Sequence, residues 1–203
     1  MVGLWFYLIG WFLWICLTFF HKETNERLWW SSVTLLGIIA SSFHVQWGDI
    51  NINLAFILLF TAGFLYAGRC KGFSLFRVAG NSLALLFLYA ALRFIEWYDP
   101  VFFLWHLTFV PAGIMAFSII LLLQRQKERV AATFLIFFPG EVVASMVLSS
   151  LTEGMFIAPP IFFDKWAAAV FIIYLWGCLE EGLYQVSKRQ SFPSKNLSKR
   201  ISL

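Results

Sequence analysis

Charge is what this chain has least of: of 203 residues only 13% are Asp, Glu, Lys or Arg, while 61% are hydrophobic. A soluble domain carries roughly 25% charged residues, so there is too little polar surface here to cover a water-soluble globule. Cysteine is scarce too. Three cysteines cannot form a paired extracellular framework. Cys16 and Cys178 fall inside apolar segments, and Cys70 sits among basic residues. No Gly-x-Ser-x-Gly, His-Glu-x-x-His, Walker loop or Gly-x-Gly-x-x-Gly is present, which removes the enzyme classes those motifs serve. The chain therefore leans away from catalysis, and nothing in it calls for a cofactor.

Long apolar runs are what it has in abundance. A helix needs about 20 residues to cross the roughly 30 Å hydrocarbon core. Seven segments meet or approach that length, at 2–20, 28–47, 50–67, 75–98, 101–123, 130–151 and 166–185. The expected fold is all-α, a polytopic seven-helix transmembrane bundle over 1–185 with a basic cytoplasmic tail over 186–203. Tyr98-Asp99-Pro100 separates the fourth span from the fifth, because proline disfavours helical geometry in the residue before it. Without that break one run would measure about 69 Å, far more than a bilayer.

The basic residues give the orientation. Of fifteen Lys and Arg, all but Arg93 and Lys165 lie in the connectors 21–27, 68–77 and 124–129 or in the tail from 185. Cytoplasmic loops are enriched in Lys and Arg, so the N-terminus is expected outside and the C-terminus inside. The net charge of +4 is spread in clusters beside apolar segments. That distribution suits the bilayer and the anionic lipids of the cytoplasmic face rather than nucleic acid. Tryptophans such as Trp5, Trp47 and Trp97 fall near span ends, where indoles anchor at the interface.

Ionisable residues inside a span are costly and usually face a bundle interior or a wet cavity. Glu141 follows Pro139 and Gly140 and lies about 16 Å from the cytoplasmic end of its span, near the midplane. Ser145 and Ser149 continue its helix face toward the outer surface. One expectation is a carboxylate at the foot of an outward-facing cavity; the other is a neutral Glu bonded between helices beside a proline kink. His44, Arg93 and His106, from three different spans, all fall about 22–24 Å from the cytoplasmic boundary. Glu96 lies one turn above Arg93 and close enough to pair with it, and Tyr89 and Ser82 extend the same face inward. His44, His106 and Glu96 could together ligate a metal, but their spacing carries no zinc signature. Glu180-Glu181 is similar to the glutamate pair of CAAX-type intramembrane proteases, yet the following Arg and the later histidine motifs are missing.

The aromatic opening Leu4-Trp5-Phe6-Tyr7, the size and the span count together resemble the YphA-like family of Bacillus-type integral membrane proteins. The resemblance implies a multi-pass protein of the bacterial plasma membrane and carries over no active residues. Three functions stay open at this point. They are a non-enzymatic protein that binds or assembles a membrane-protein partner, a small transporter or ligand sensor using a cavity above Glu141, and an intramembrane enzyme built on His44, His106 and the outer carboxylates.

Overall fold

A computed structural model describes residues 3–20, 25–48, 50–69, 72–99, 108–150 and 155–190. Within them lie seven α-helices: α1 (Leu4–Ile15), α2 (Asn25–Ala40), α3 (Leu54–Ala67), α4 (Phe73–Tyr98), α5 (Phe109–Leu122), α6 (Gln126–Ser149) and α7 (Pro160–Gln190). A π-helical turn, Cys16–Phe20, follows α1. Three helices are long and apolar enough to cross a membrane, over Ser74–Tyr98, Gln126–Ser149 and Pro160–Lys188. The other four apolar helices are shorter.

α6 is the central post. It packs against α3, α4, α5 and α7, and it buries residues on every side, from Ala131 and Ala132 to Phe137, Phe138 and Glu141. Its rings organise the core: Phe138 lies 5.1 Å from Phe56 of α3, 5.3 Å from Phe162 and 5.6 Å from Trp166 of α7. Tilted and edge-on ring pairs of this kind add about 0.5–1.5 kcal/mol each beyond the area they bury. Gly63 of α3 lies directly against Phe134 of α6, so a side chain there would have no room.

The segment between α2 and α3 corrects the sequence reading. Spans 28–47 and 50–67 were expected to be helical throughout, but α2 stops at Ala40 and α3 begins only at Leu54. Between them is an antiparallel hairpin of β1 (His44–Trp47) and β2 (Ile50–Asn53), with His44 opposite Asn53 and Trp47 opposite Ile50. Gly48 supplies the left-handed turn, with φ 60°. β3 (Met155–Ile157) adds to β2 in parallel, Ile50 facing Met155 and Ile52 facing Ile157. A small three-stranded sheet thus ties the α2–α3 connection to the α6–α7 connection. Asn53 closes β2 and opens α3, its side chain accepting a hydrogen bond from the Ala55 N–H at 2.8 Å.

α6 begins at Gln126, before the expected Val130, and α7 begins at Pro160 and runs to Gln190. The stretch 186–190, expected as tail, is therefore helical, and 191–203 lie outside the described residues. The first and last helices are joined by Asp164 of α7. Its carboxylate, 2% exposed, accepts hydrogen bonds from the N–H groups of Gly3 and Phe6, each at 2.7 Å. It caps the otherwise unsatisfied N-terminus of α1.

Candidate functional site

Three long helices bring five polar side chains together. Tyr89, Arg93 and Glu96 stand at i, i+4 and i+7 of α4 and so share one face. Glu141 of α6 meets them in the middle, and Lys165 of α7 closes the far side. The Tyr89 hydroxyl donates to Glu141 Oε2 at 2.6 Å, and Arg93 Nη2 donates to Glu141 Oε1 at 3.1 Å. Arg93 Nη1 also reaches Glu96 Oε2 at 3.2 Å, and Lys165 Nζ sits 2.5 Å from the same carboxylate. Glu141 has 0% exposure and Lys165 2%. Two carboxylates face two cations, so the ionised cluster is neutral, and each acid has a cationic partner. That is the condition under which buried charges are tolerated.

Local sequence explains why these groups meet. Gly140 precedes Glu141, and a Cβ there would stand 2.7 Å from Cδ1 of Tyr89. The missing side chain lets the Tyr89 ring lie against α6, where its hydroxyl reaches the neighbouring carboxylate. Pro139 stands inside α6 without ending it. A cavity of about 10 Å³ lies against the cluster, lined by Tyr89, Arg93, Glu96 and Lys165 on its polar side and by Leu92, Pro111, Met115 and Phe137 on the other. That is room for about one water molecule. Arg93 Nε is buried without a hydrogen-bond partner, a donor such a water would satisfy.

A second polar layer joins the same three helices at their other end. Arg77 of α4 pairs with Glu128 of α6, Nη2 to Oε1 at 2.7 Å, and Ser74 donates to the same oxygen at 2.7 Å. Arg129 of α6 forks onto Glu180 of α7 at 2.7 and 3.0 Å, and Trp176 Nε1 adds a bond at 2.6 Å. Counting residues between layers on each helix gives a separation of about 20–24 Å at 1.5 Å per residue. α4, α6 and α7 are cross-linked near both ends of their apolar stretch.

The structure unites Arg93, Glu96 and Glu141 and leaves Ser145, Ser149 and His44 apart from them. Ser145 is buried beneath β3, its hydroxyl donating to the Phe156 carbonyl at 3.3 Å. Ser149 bonds back to the Met146 carbonyl at 2.8 Å. His44 is exposed on β1 with Nε2 3.3 Å from Asn53 Nδ2, away from the buried cluster. It was expected level with Arg93 inside a helix, and the hairpin places it elsewhere. His106 lies outside the described residues, as do Cys70, Thr152 and Glu153. Among the described residues no group of three His, Cys, Asp or Glu side chains is placed to hold a metal. Lys165 was not among the sequence candidates for the site. Its signal was its isolation: with Arg93, it is one of two basic residues outside the basic segments.

Known proteins give the chain its relatives. It is 26% identical to the YphA protein of Bacillus subtilis (strain 168) over 204 residues, which cover 98% of this chain and 99% of the relative. No solved structure matches it. The YphA-like integral membrane protein model matches residues 2–199, nearly the whole sequence, with the long apolar helices and the buried inter-helix charges inside the match. The chain thus belongs to the YphA-like family of integral membrane proteins.

Proposed function

We propose that the protein crosses the bacterial cell membrane seven times, N-terminus outside and C-terminus in the cytoplasm. In that membrane it acts without catalysis, as a binding or assembly component whose helix faces meet a membrane-protein partner. The topology is supported by the one-sided distribution of Lys and Arg and by seven apolar helices, three of them long enough to cross a membrane.

The observation that carries the non-enzymatic reading is the engagement of Glu141. It is wholly buried, both of its oxygens are taken by Tyr89 and Arg93, and the adjoining space of about 10 Å³ holds no more than a water. A carboxylate in that state serves its own helices: it fixes α4 against α6 rather than waiting for a substrate.

Glu141→Gln tests the reading in living cells. It keeps the shape and the Tyr89 hydrogen bond but removes the charge facing Arg93. The expected outcome is lower membrane abundance and a lower unfolding temperature of the purified protein. Normal abundance and stability combined with loss of a cellular response would overturn it, because Glu141 would then be serving a ligand.

A further inference from the structure

The small sheet ends in β3 on one side and β1 on the other. At β3 the Phe156 carbonyl accepts the Ser145 hydroxyl of α6 at 3.3 Å. β1 stands open, and all four of its residues, His44, Val45, Gln46 and Trp47, are exposed. Natural edge strands are usually blunted by charge, proline or a bulge. β1 contains no Lys, Arg, Asp, Glu or Pro, and its pairing with β2 runs without a bulge.

The register says what the open edge offers. The Leu54 N–H donates to the Phe43 carbonyl at 2.9 Å, so Phe43 turns its backbone toward the β2 side. Alternation along an antiparallel ladder turns Val45 and Trp47 the same way. The N–H and C=O groups of His44 and Gln46 therefore face outward. Side chains follow the same register. Val45 shares a face with Ile52 and Trp47 with Ile50, while His44 and Gln46 share the opposite face with Asn53 and Asn51. One face of the hairpin is apolar and the other polar. Phe43 extends the apolar face at 57% exposure, and Trp47 is 82% exposed. Such a ribbon lies flat at a membrane surface with its apolar side down and its indole at the interface.

This edge is complementary to itself. Turned about a two-fold axis at Val45, two β1 strands pair antiparallel, with His44 of each opposite Gln46 of the other. Each such pair exchanges both N–H···O bonds, so every outward group is used. Val45 meets its own copy on the axis, and Trp47 meets Phe43 on the apolar face. No like charges oppose one another. The axis between antiparallel strands is normal to the sheet. With the sheet flat on the membrane it is also normal to the bilayer, so both copies keep one orientation across it.

We propose that the protein forms a symmetric dimer through β1, joining the sheets of two copies into one continuous sheet at the membrane surface. This contact is separate from the helix faces discussed above, and it holds whichever side of the membrane carries the hairpin.

Single cysteines along β1 test it, in the full-length chain lacking Cys16, Cys70 and Cys178, oxidised in native membranes with copper phenanthroline. Position 45 meets its own copy at a Cα separation of about 4.5 Å, inside the disulfide range of about 4.4–6.8 Å. A cysteine at 44 or 46 lies diagonal to its copy at about 7–8 Å, beyond that range. The expected result is a disulfide-linked homodimer as the main product of Val45→Cys, with only traces from His44→Cys and Gln46→Cys. Adding Gln46→Pro to Val45→Cys removes an N–H that the hairpin itself does not use, and edge strands accept proline at such a place. The dimer should then be lost while membrane abundance is kept. No dimer at position 45, equal yields at 44, 45 and 46, or a disulfide to a different protein overturns the proposal. So does a dimer that survives Gln46→Pro.

Discussion

Gly140 has no side chain, so Tyr89 lies against α6 and its hydroxyl finds Glu141. Tyr89→Phe keeps the ring and loses one intramembrane hydrogen bond, a cost of about 0.6–1.7 kcal/mol. Gly140→Ala instead displaces the ring itself, and overpacking of that sort costs about 1–3 kcal/mol. Thermal unfolding in detergent should therefore rank Gly140→Ala as the more damaging of the two. Lys165 offers a second measurement. Lys165→Met leaves Glu96 with Arg93 as its remaining cation, and breaking a buried pair on one side costs about 3–5 kcal/mol. Adding Glu96→Gln to Lys165→Met should restore part of that loss, so the double variant should melt above the sum of the single effects. The Arg93–Glu96 contact was legible in the sequence, because i and i+3 share a helix face. The Lys165 contact was not, since nothing local says that the start of α7 stands beside the end of α4.

Helix boundaries were where apolarity alone misled. His44-Val45-Gln46-Trp47-Gly48-Asp49-Ile50-Asn51-Ile52-Asn53 contains enough hydrophobic residues to extend either flanking helix, yet it alternates with a period of two around Gly-Asp. That alternation is a hairpin signal, and an average over a span-length window erases it. Gly48 is the residue the hairpin depends on: its φ of 60° is costly for any side chain with a Cβ, and it lies in open space with no neighbour within 4 Å. Gly48→Val should therefore cost about 1–2 kcal/mol through backbone strain alone, read as a lower unfolding temperature. The same change made at Gly80, which also has open space but a helical backbone, should cost less than that. The comparison separates conformation from packing.

At the scale of the molecule, the polar residues form two layers across α4, α6 and α7, with apolar helix between them. Counting residues from the basic ends put Arg93 in one layer with His44 and His106 and set Glu141 below it, whereas the packing brings Arg93 and Glu141 into contact and places His44 on the hairpin. The partners on each layer came only with the packing, because they belong to helices far apart in sequence. The proposed topology makes a labelling prediction. In a variant lacking the three native cysteines, a cysteine at position 48 should react with a membrane-impermeant maleimide in intact cells. One at position 187, exposed on α7 beyond the expected seventh span, should react only after the membrane is opened. The opposite pattern would reverse the orientation. Asp164 adds a consequence in time. Gly3 precedes its cap by 161 positions, so at a synthesis rate of about 5–20 residues per second α1 waits roughly 8–32 s for the group that completes it. Throughout that interval the leading N–H groups of the first helix are uncapped by Asp164, and a chain interrupted before α7 lacks the cap altogether. Completion of the last helix is thereby the step that seals the first.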